Sequence, residues 1–459
     1  MSDPRPRGRL RCGALAAAGA LLFAAAPVAA EPAGEEQGFS IGGTFRANAE
    51  GIDGQFRPGR PESDFLLSFR TTILAQYDAG PIRLVGELSD ARGYFQKRRS
   101  SAGTSEINAL EPLQAYVAVD MDDAIGQGFE GAFKIGRFTM DIGSGRLVER
   151  ADSSNSPSAF TGALLDLTTP DEGHLMAFWT MPNLRRPSDA ESLRDNEVEL
   201  DRSTDDLQFY GISYERPALL GEILGQAYAF RLTERDAPGY PTRNRDFLTF
   251  GARLYRVPAT SRIDFDVEYA GQRGEIRASA SDGDLRDLDV DAHYVHAELG
   301  RKLAADWSPR ISAHFDLATG DGPGGDYGRF DPLFGSRRSA FGPTSLHGPI
   351  TRSNLISAGL RLDGKPSARL DLAIMYRALW LEEAADSFAA TGVRDPAGGS
   401  GRWAGNQVEA RLRYWLVPGR LRAEAGAAWL DKGRFLREAP NAPATGDTRY
   451  AYFSLSTSF

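Results

Sequence analysis

Residues 64–78 alternate apolar and polar side chains across fifteen positions. Phe65, Leu67, Phe69, Ile73, Ala75 and Tyr77 share one face, and Asp64, Ser68, Arg70, Thr72, Gln76 and Asp78 share the other. A period of two is the signature of an extended strand, whose successive side chains point to opposite sides. At strand rise the stretch is about 50 Å long. That exceeds what a half-buried strand of a soluble sheet needs, and it suits a tilted strand crossing a bilayer.

The pattern returns along the chain. Leu370, Leu372, Ile374, Tyr376, Ala378 and Trp380 alternate with Asp371, Ala373, Met375, Arg377 and Leu379. Leu421, Ala423, Ala425, Ala427 and Trp429 alternate with Arg422, Glu424, Gly426 and Ala428. Ile311, Ala313, Phe315 and Leu317 alternate with Arg310, Ser312, His314 and Asp316. Alternation and breaker residues together place about 18 strands. Alternation is poor at 131–141, 160–181 and 290–301, which leaves about 16 open. The connections also alternate. Long ones such as 50–63, 95–110, 142–159, 182–205, 319–352 and 382–404 take turns with short ones such as Ala79-Gly80, Gly364–Pro366 and Val417-Pro418. A two-sheet sandwich has no reason to do this, whereas outer-membrane barrels have short periplasmic turns and long extracellular loops. The expected fold is all-β: a transmembrane antiparallel β-barrel of about 18 strands.

Residues 1–30 have the layout of a secretory leader, with Arg5, Arg7, Arg9 and Arg11 before an apolar run and Val28-Ala29-Ala30 at its end. The expected organisation is a signal peptide over 1–30 and one barrel domain over 31–459. Past residue 30 no run approaches the 18 or so apolar residues of a membrane helix. Cys12 is the only cysteine and lies in the leader, so the remainder has no disulfide, thiolate metal site or cysteine nucleophile. Outside 1–30, 49 basic residues stand against 61 acidic ones, which argues against nucleic acid as a partner. Of 53 basic residues 48 are arginine, whose planar, permanent charge suits carboxylates.

No Ser-His-Asp set has recognisable context, so no enzyme is expected. His293 and His296 fall on opposite faces of one strand and make a poor metal pair. Asp282, Asp284, Asp287, Asp289 and Asp291 lack the spacing of a calcium loop and read as solvated surface. Neither a metal nor a cofactor is expected. The chain ends with Ala451, Phe453, Leu455, Thr457 and Phe459 on one face. A last strand of this kind resembles the signal read by the barrel-assembly machinery, with Phe459 as its terminal residue.

Three stretches resemble the alginate-export porin family. The first is Lys134-Ile-Gly-Arg-Phe-Thr-Met-Asp-Ile-Gly-Ser-Gly-Arg-Leu-Val-Glu-Arg150, followed by Asn155 and Phe160-Thr-Gly162. The second is Asp316-Leu-Ala-Thr-Gly-Asp321, followed by Phe330-Asp-Pro-Leu-Phe-Gly335 and Asn354-Leu-Ile356. The third runs from Leu379-Trp-Leu381 through Gly401 and Gly405-Asn-Gln-Val-Glu409 to Arg411-Leu-Arg413, with its acidic position shifted from the family pattern. The resemblance spans most of 40–459, although 180–300 matches only in strand rhythm. It implies an eighteen-stranded monomeric barrel in the outer membrane, with an arginine-rich, anion-selective constriction. It also implies passage of an anionic polysaccharide, alginate or a similar polyuronate, with periplasmic export partners.

If the apolar faces meet lipid, Arg46, Arg70, Arg83, Arg361, Arg377, Arg411, Arg413 and Arg422 face the lumen, and Glu87, Asp371, Glu409 and Glu424 share those faces. A ladder of guanidiniums can hand carboxylates along by charge-assisted bonds, and nearby carboxylates hold the forks in place and temper affinity. Arg411 and Arg413, about 7 Å apart on one face, are the leading pair. By resemblance Arg137, Arg146 and Arg150 join the set, although parity puts Arg137 with Phe133 and Ile135. The bland alternative is that such arginines only stiffen the wall. Trp179, Trp307, Trp380, Trp415 and Trp429 fall near strand ends and suit interfacial girdles. The 319–352 connection is the candidate in-folded or gating loop. Uptake of small acidic or sugar nutrients is the rival function.

Overall fold

The computed structural model describes residues 38–281, 283–336 and 338–459; the expected leader and Asp282 lie outside the described residues. Eighteen strands follow one another. The first nine are β1 (Gly38–Asp53), β2 (Asp64–Asp78), β3 (Ile82–Tyr94), β4 (Asn108–Asp120), β5 (Glu130–Phe138), β6 (Phe160–Thr168), β7 (His174–Pro182), β8 (Leu207–Leu220) and β9 (Ile223–Glu234). The others are β10 (Asp246–Arg256), β11 (Ile263–Arg277), β12 (Asp287–Lys302), β13 (Arg310–Ala318), β14 (Leu355–Ser367), β15 (Leu370–Trp380), β16 (Trp403–Val417), β17 (Leu421–Lys432) and β18 (Thr448–Ser458). Each pairs antiparallel with the next, and β18 pairs with β1, so the sheet closes on itself. In lipid every backbone polar group must be bonded within the protein, and closure meets that demand without leaving an edge. Large apolar side chains such as Ile41, Ile73, Leu84, Ile135, Leu299, Leu360 and Phe453 are exposed on the outside.

The three stretches with poor alternation are strands, so the count is eighteen. Their pattern fails because both faces are apolar. Phe160, Phe178, Phe209 and Phe230 of β6 to β9 are buried inside, while Trp179 and Ile212 are exposed outside. The inner rings form one buried cluster with Met140, Ile142, Leu147 and Val148 of the β5–β6 connection and Phe330 of the β13–β14 connection. Val290, Ala292 and Tyr294 of β12 belong to the same cluster. The barrel thus holds an apolar core against one inner wall, and two loops are docked onto it.

The short connections gather at one rim and span two to nine residues, whereas 36 residues separate β13 from β14 at the other. The 319–352 connection folds inward only in part. Gly322–Asp326 is exposed, and the Gly320 and Asp321 amides donate to Glu382 and Asp386 at the rim. Residues further on turn inward and bury Phe330, Leu346, Ile350 and Arg352. The deeper in-folded segment is 139–159, which the sequence reading did not single out for that role. The two loops meet in a parallel bridge between Val148 and Phe334. The Phe334 amide donates to Leu147 O at 2.9 Å and the Ser336 amide to Gly145 O at 3.1 Å. Gly335 is obligatory there, because a Cβ would lie 1.8 Å from Arg146 O.

Candidate transport site

Beneath the two loops the lumen keeps a cavity of about 520 Å³, which reaches the short-turn rim at Pro258, Arg420 and Ser458. Seven of the eleven arginines expected at the pore border it: Arg46, Arg70, Arg146, Arg150, Arg411, Arg413 and Arg422. On β16 the parity is plain. Val408, Ala410, Leu412 and Tyr414 are exposed outward, which turns Arg411 and Arg413 inward. Strand register then sets neighbours at one height. Trp415 of β16 stands opposite Arg422 of β17, Arg422 opposite Ser456 of β18, Ser456 opposite Arg46 of β1, and Arg46 opposite Arg70 of β2. Adjacent strands lie about 4.8 Å apart, so this row carries three guanidiniums and an indole across five strands.

The 139–159 loop rests on one end of that row. Arg46 donates to Asp152 O at 2.9 Å, to Ser154 O at 2.6 Å and to Asn155 Oδ1 at 3.2 Å. Arg70 donates to Asp152 O at 3.2 Å and Ser154 O at 3.1 Å. The loop's own arginines reach the wall. Arg146 binds Asp266 at 2.8 Å and Glu268 at 2.6 Å on β11, and Arg150 forks onto Glu87 at 2.7 and 2.8 Å on β3. Burial works against the charge of Arg150, but Asp152 and Glu87 outweigh it and hold the guanidinium charged. All four expected supporting carboxylates sit beside an arginine. Besides Glu87, Asp371 lies 2.7 Å from Arg413, Glu409 3.3 Å from Arg377 and Glu424 4.0 Å from Arg422.

Four expected arginines do not border the cavity. Arg83 pairs with Asp78 at 3.4 Å and Asp120 at 3.2 Å near the short-turn rim. Arg361 forks onto Asp363 at 2.8 and 2.9 Å. Arg377 is buried under Phe341, its guanidinium carbon 5.8 Å from the ring centre. Arg137 follows its parity and not the resemblance. It shares the face of outward Ile135 and is capped by Glu111, by Pro112 O at 2.9 Å and by Asp201 O at 3.2 Å from the β7–β8 connection. β5 keeps its register at Gly136, so no bulge turns Arg137 inward.

The sequence reading missed Arg253, which binds Asp266 through two 2.8 Å bonds, and Arg310, which binds Asp264 and Glu298. Parity could have found both, since Leu248, Phe250 and Leu254 of β10 and Ile311 and Phe315 of β13 are exposed outward. Among the described residues, eleven arginines and ten carboxylates border the cavity, so it is no uniformly basic tube. Burial, then neighbouring Asp141, pushes Glu149 up to about 8, and burial also raises Asp141.

A closed antiparallel barrel with an apolar outer belt and a charged interior is an outer-membrane channel. More narrowly, the chain belongs to the alginate-export family, whose model it matches over residues 38–449. A search of curated proteins finds no match. Solved structures of similar fold include Pseudomonas aeruginosa OccK9 (OpdG), 14% identical with a TM-score of 0.57, covering 92% of this chain and 98% of that one. Pseudomonas aeruginosa OpdK with vanillate is 13% identical with a TM-score of 0.56 over 92% and 98% of the two chains. Pseudomonas aeruginosa OccK3 (OpdO) is 15% identical with a TM-score of 0.55 over 92% and 95%. At these identities the likeness is one of fold.

Proposed function

We propose that the barrel exports an anionic polysaccharide, alginate or a similar polyuronate, by passive passage along its lumen arginines. The observation that carries this reading is the row of Arg422, Arg46 and Arg70 with Arg411 and Arg413 beside it, in a member of the alginate-export family. A polyuronate brings one carboxylate per sugar. Guanidiniums at strand and inter-strand spacing offer it successive charge-assisted bonds, each weak enough for release because carboxylates share the same forks. Arg411 and Arg413 are the leading contacts. Arg146 and Arg150 join them on the loop, and the outlying Arg83, Arg137, Arg361 and Arg377 serve the wall. The polymer enters from periplasmic partners, and exposed Phe459 at the end of β18 is the handle for the barrel-assembly machinery.

The test is single-channel current in a planar bilayer, with reversal potential under a salt gradient and then added oligomannuronate. Anion-selective current that oligomannuronate blocks, with block and selectivity both weakened in Arg411→Ala/Arg413→Ala, is the expected result. Cation-selective or oligomer-indifferent current defeats the reading. Uptake of small acidic or sugar nutrients is the second reading. What favours it is the size of the cavity, about 520 Å³ and covered by two loops, together with a fold shared with a channel solved with vanillate.

A further inference from the structure

At its β16 end the arginine row finishes in an aromatic ring. Trp415 lies on the inner face of β16, in step with Arg411 and Arg413, while Tyr414 and Leu416 on either side are exposed outward. It is half-buried and borders the cavity near the short-turn rim. Sequence position had grouped it with a lipid-facing girdle. Trp179 and Trp429 are exposed at 47% and 46%, but Trp415 belongs to the lumen. Its register partner Arg422 holds the guanidinium carbon 5.6 Å from the indole centre, and Glu424 lies 4.0 Å from that guanidinium. Arg413 follows two residues up the strand on the same face, with Arg420 in the adjoining turn.

We infer that Trp415 and Arg422 form a sugar-binding subsite at the periplasmic mouth, which takes one uronate ring of an acidic oligosaccharide before the polymer reaches the deeper arginines. The inference rests on the proposed passage of a polyuronate and names the residue that reads its sugar. A pyranose presents a flat face of C–H groups, and the electron-rich face of an indole both attracts these and removes them from water. The ring carboxylate, held at the edge of the stacked sugar, meets Arg422, already seated beside the indole by cation–π attraction. Neutral oligosaccharides satisfy the indole but not the guanidinium, and small aliphatic acids do the reverse. The pair therefore selects for ring and charge together. Its place beside the short turns makes it the first contact from the periplasm and the last from outside.

The test uses the full-length channel in a planar bilayer, with oligomannuronate or neutral maltohexaose added to one side at a time. From the short-turn side, Trp415→Ala is expected to raise the half-blocking concentration of oligomannuronate about tenfold, and Trp415→Phe to recover most of that loss. Maltohexaose is expected to block wild type weakly. In detergent, the emission lost between wild type and Trp415→Phe is expected to shift when oligomannuronate is added. Unchanged block in Trp415→Ala, or a Phe variant as weak as the Ala one, overturns the subsite and leaves polyuronate passage standing. Absence of any oligomannuronate block in wild type overturns both.

Discussion

Arg352 is 1% exposed and uses its donors on the two loops at once, reaching Ser336 O at 2.6 Å, Arg146 O at 3.2 Å and the Tyr294 hydroxyl at 3.2 Å. Its guanidinium carbon also lies 5.3 Å from the Phe341 ring centre. Removing it orphans buried acceptors in both loops, each costing about 1–3 kcal/mol. Arg352→Ala is therefore expected to loosen the loop junction by roughly 2–4 kcal/mol and to leave the strands paired. Hydrogen exchange checks this: the Phe334 and Ser336 amides, which bond Leu147 and Gly145, should lose protection while strand amides keep theirs. Protection lost throughout, or nowhere, would contradict it. Arg352 shows where the sequence stops being legible. Arg411 and Arg413 could be oriented by counting, because a clean apolar face fixes parity. Nothing near Arg352 in sequence says that its partners are 16 and 206 residues away. Arg137 marks the opposite case: it keeps the face that local parity gives it, pairs with Glu111 and does not border the cavity, where the family resemblance had put it.

Among the elements, most strands were readable from alternation, since a lipid-facing surface imposes apolar side chains at every second position; β5, β6, β7 and β12 alternate poorly and left the count open between about 16 and about 18. The docking of 139–159 was not readable. It depends on Met140, Ile142, Leu147 and Val148 meeting rings that β6 to β9 contribute one at a time, and those same rings spoil the alternation of their own strands. The loop also carries a titratable group. Glu149 sits at about 8 against an ordinary 4.5, raised first by burial, then by Asp141 and Asp152 and opposed by Arg352. The docked loop thus binds this proton more tightly than the released loop does. Its contribution to docking is complete below the ordinary value and is lost as pH rises through about 8. Open probability in a planar bilayer is expected to climb between about pH 5 and about pH 9. Glu149→Gln, which mimics the protonated carboxyl, should stay near the low-pH level throughout. A flat wild-type profile, or an unchanged slope in the variant, would remove Glu149 from loop docking.

At the scale of the whole molecule, wall and plug have separate sources of stability. The wall closes by a continuous ladder from β1 round to β18, and membrane burial makes every bond of that ladder obligatory. The plug is held by side chains, through the apolar cluster, the Arg146 and Arg150 forks and the carbonyls seated on Arg46 and Arg70. Taking the plug away should therefore widen the pore without unfolding the barrel. Replacing Ser144–Asn155 by a short Gly-Ser link removes those forks and the loop carbonyls bonded to Arg46 and Arg70. The variant is expected to keep the heat-dependent gel migration of a folded barrel and to pass several times the wild-type current, with anion preference increased. Deleting Gly322–Asp326 is the matched control, because that tip is exposed at the outer rim and its loss should leave conductance unchanged. Were the tip deletion to raise conductance as much as the loop replacement, the exposed rim and not the 139–159 segment would be the obstruction. Were the loop replacement to change nothing, the inward half of the β13–β14 connection would close the lumen by itself, and the carbonyls on Arg46 and Arg70 would be wall contacts without a role in permeation.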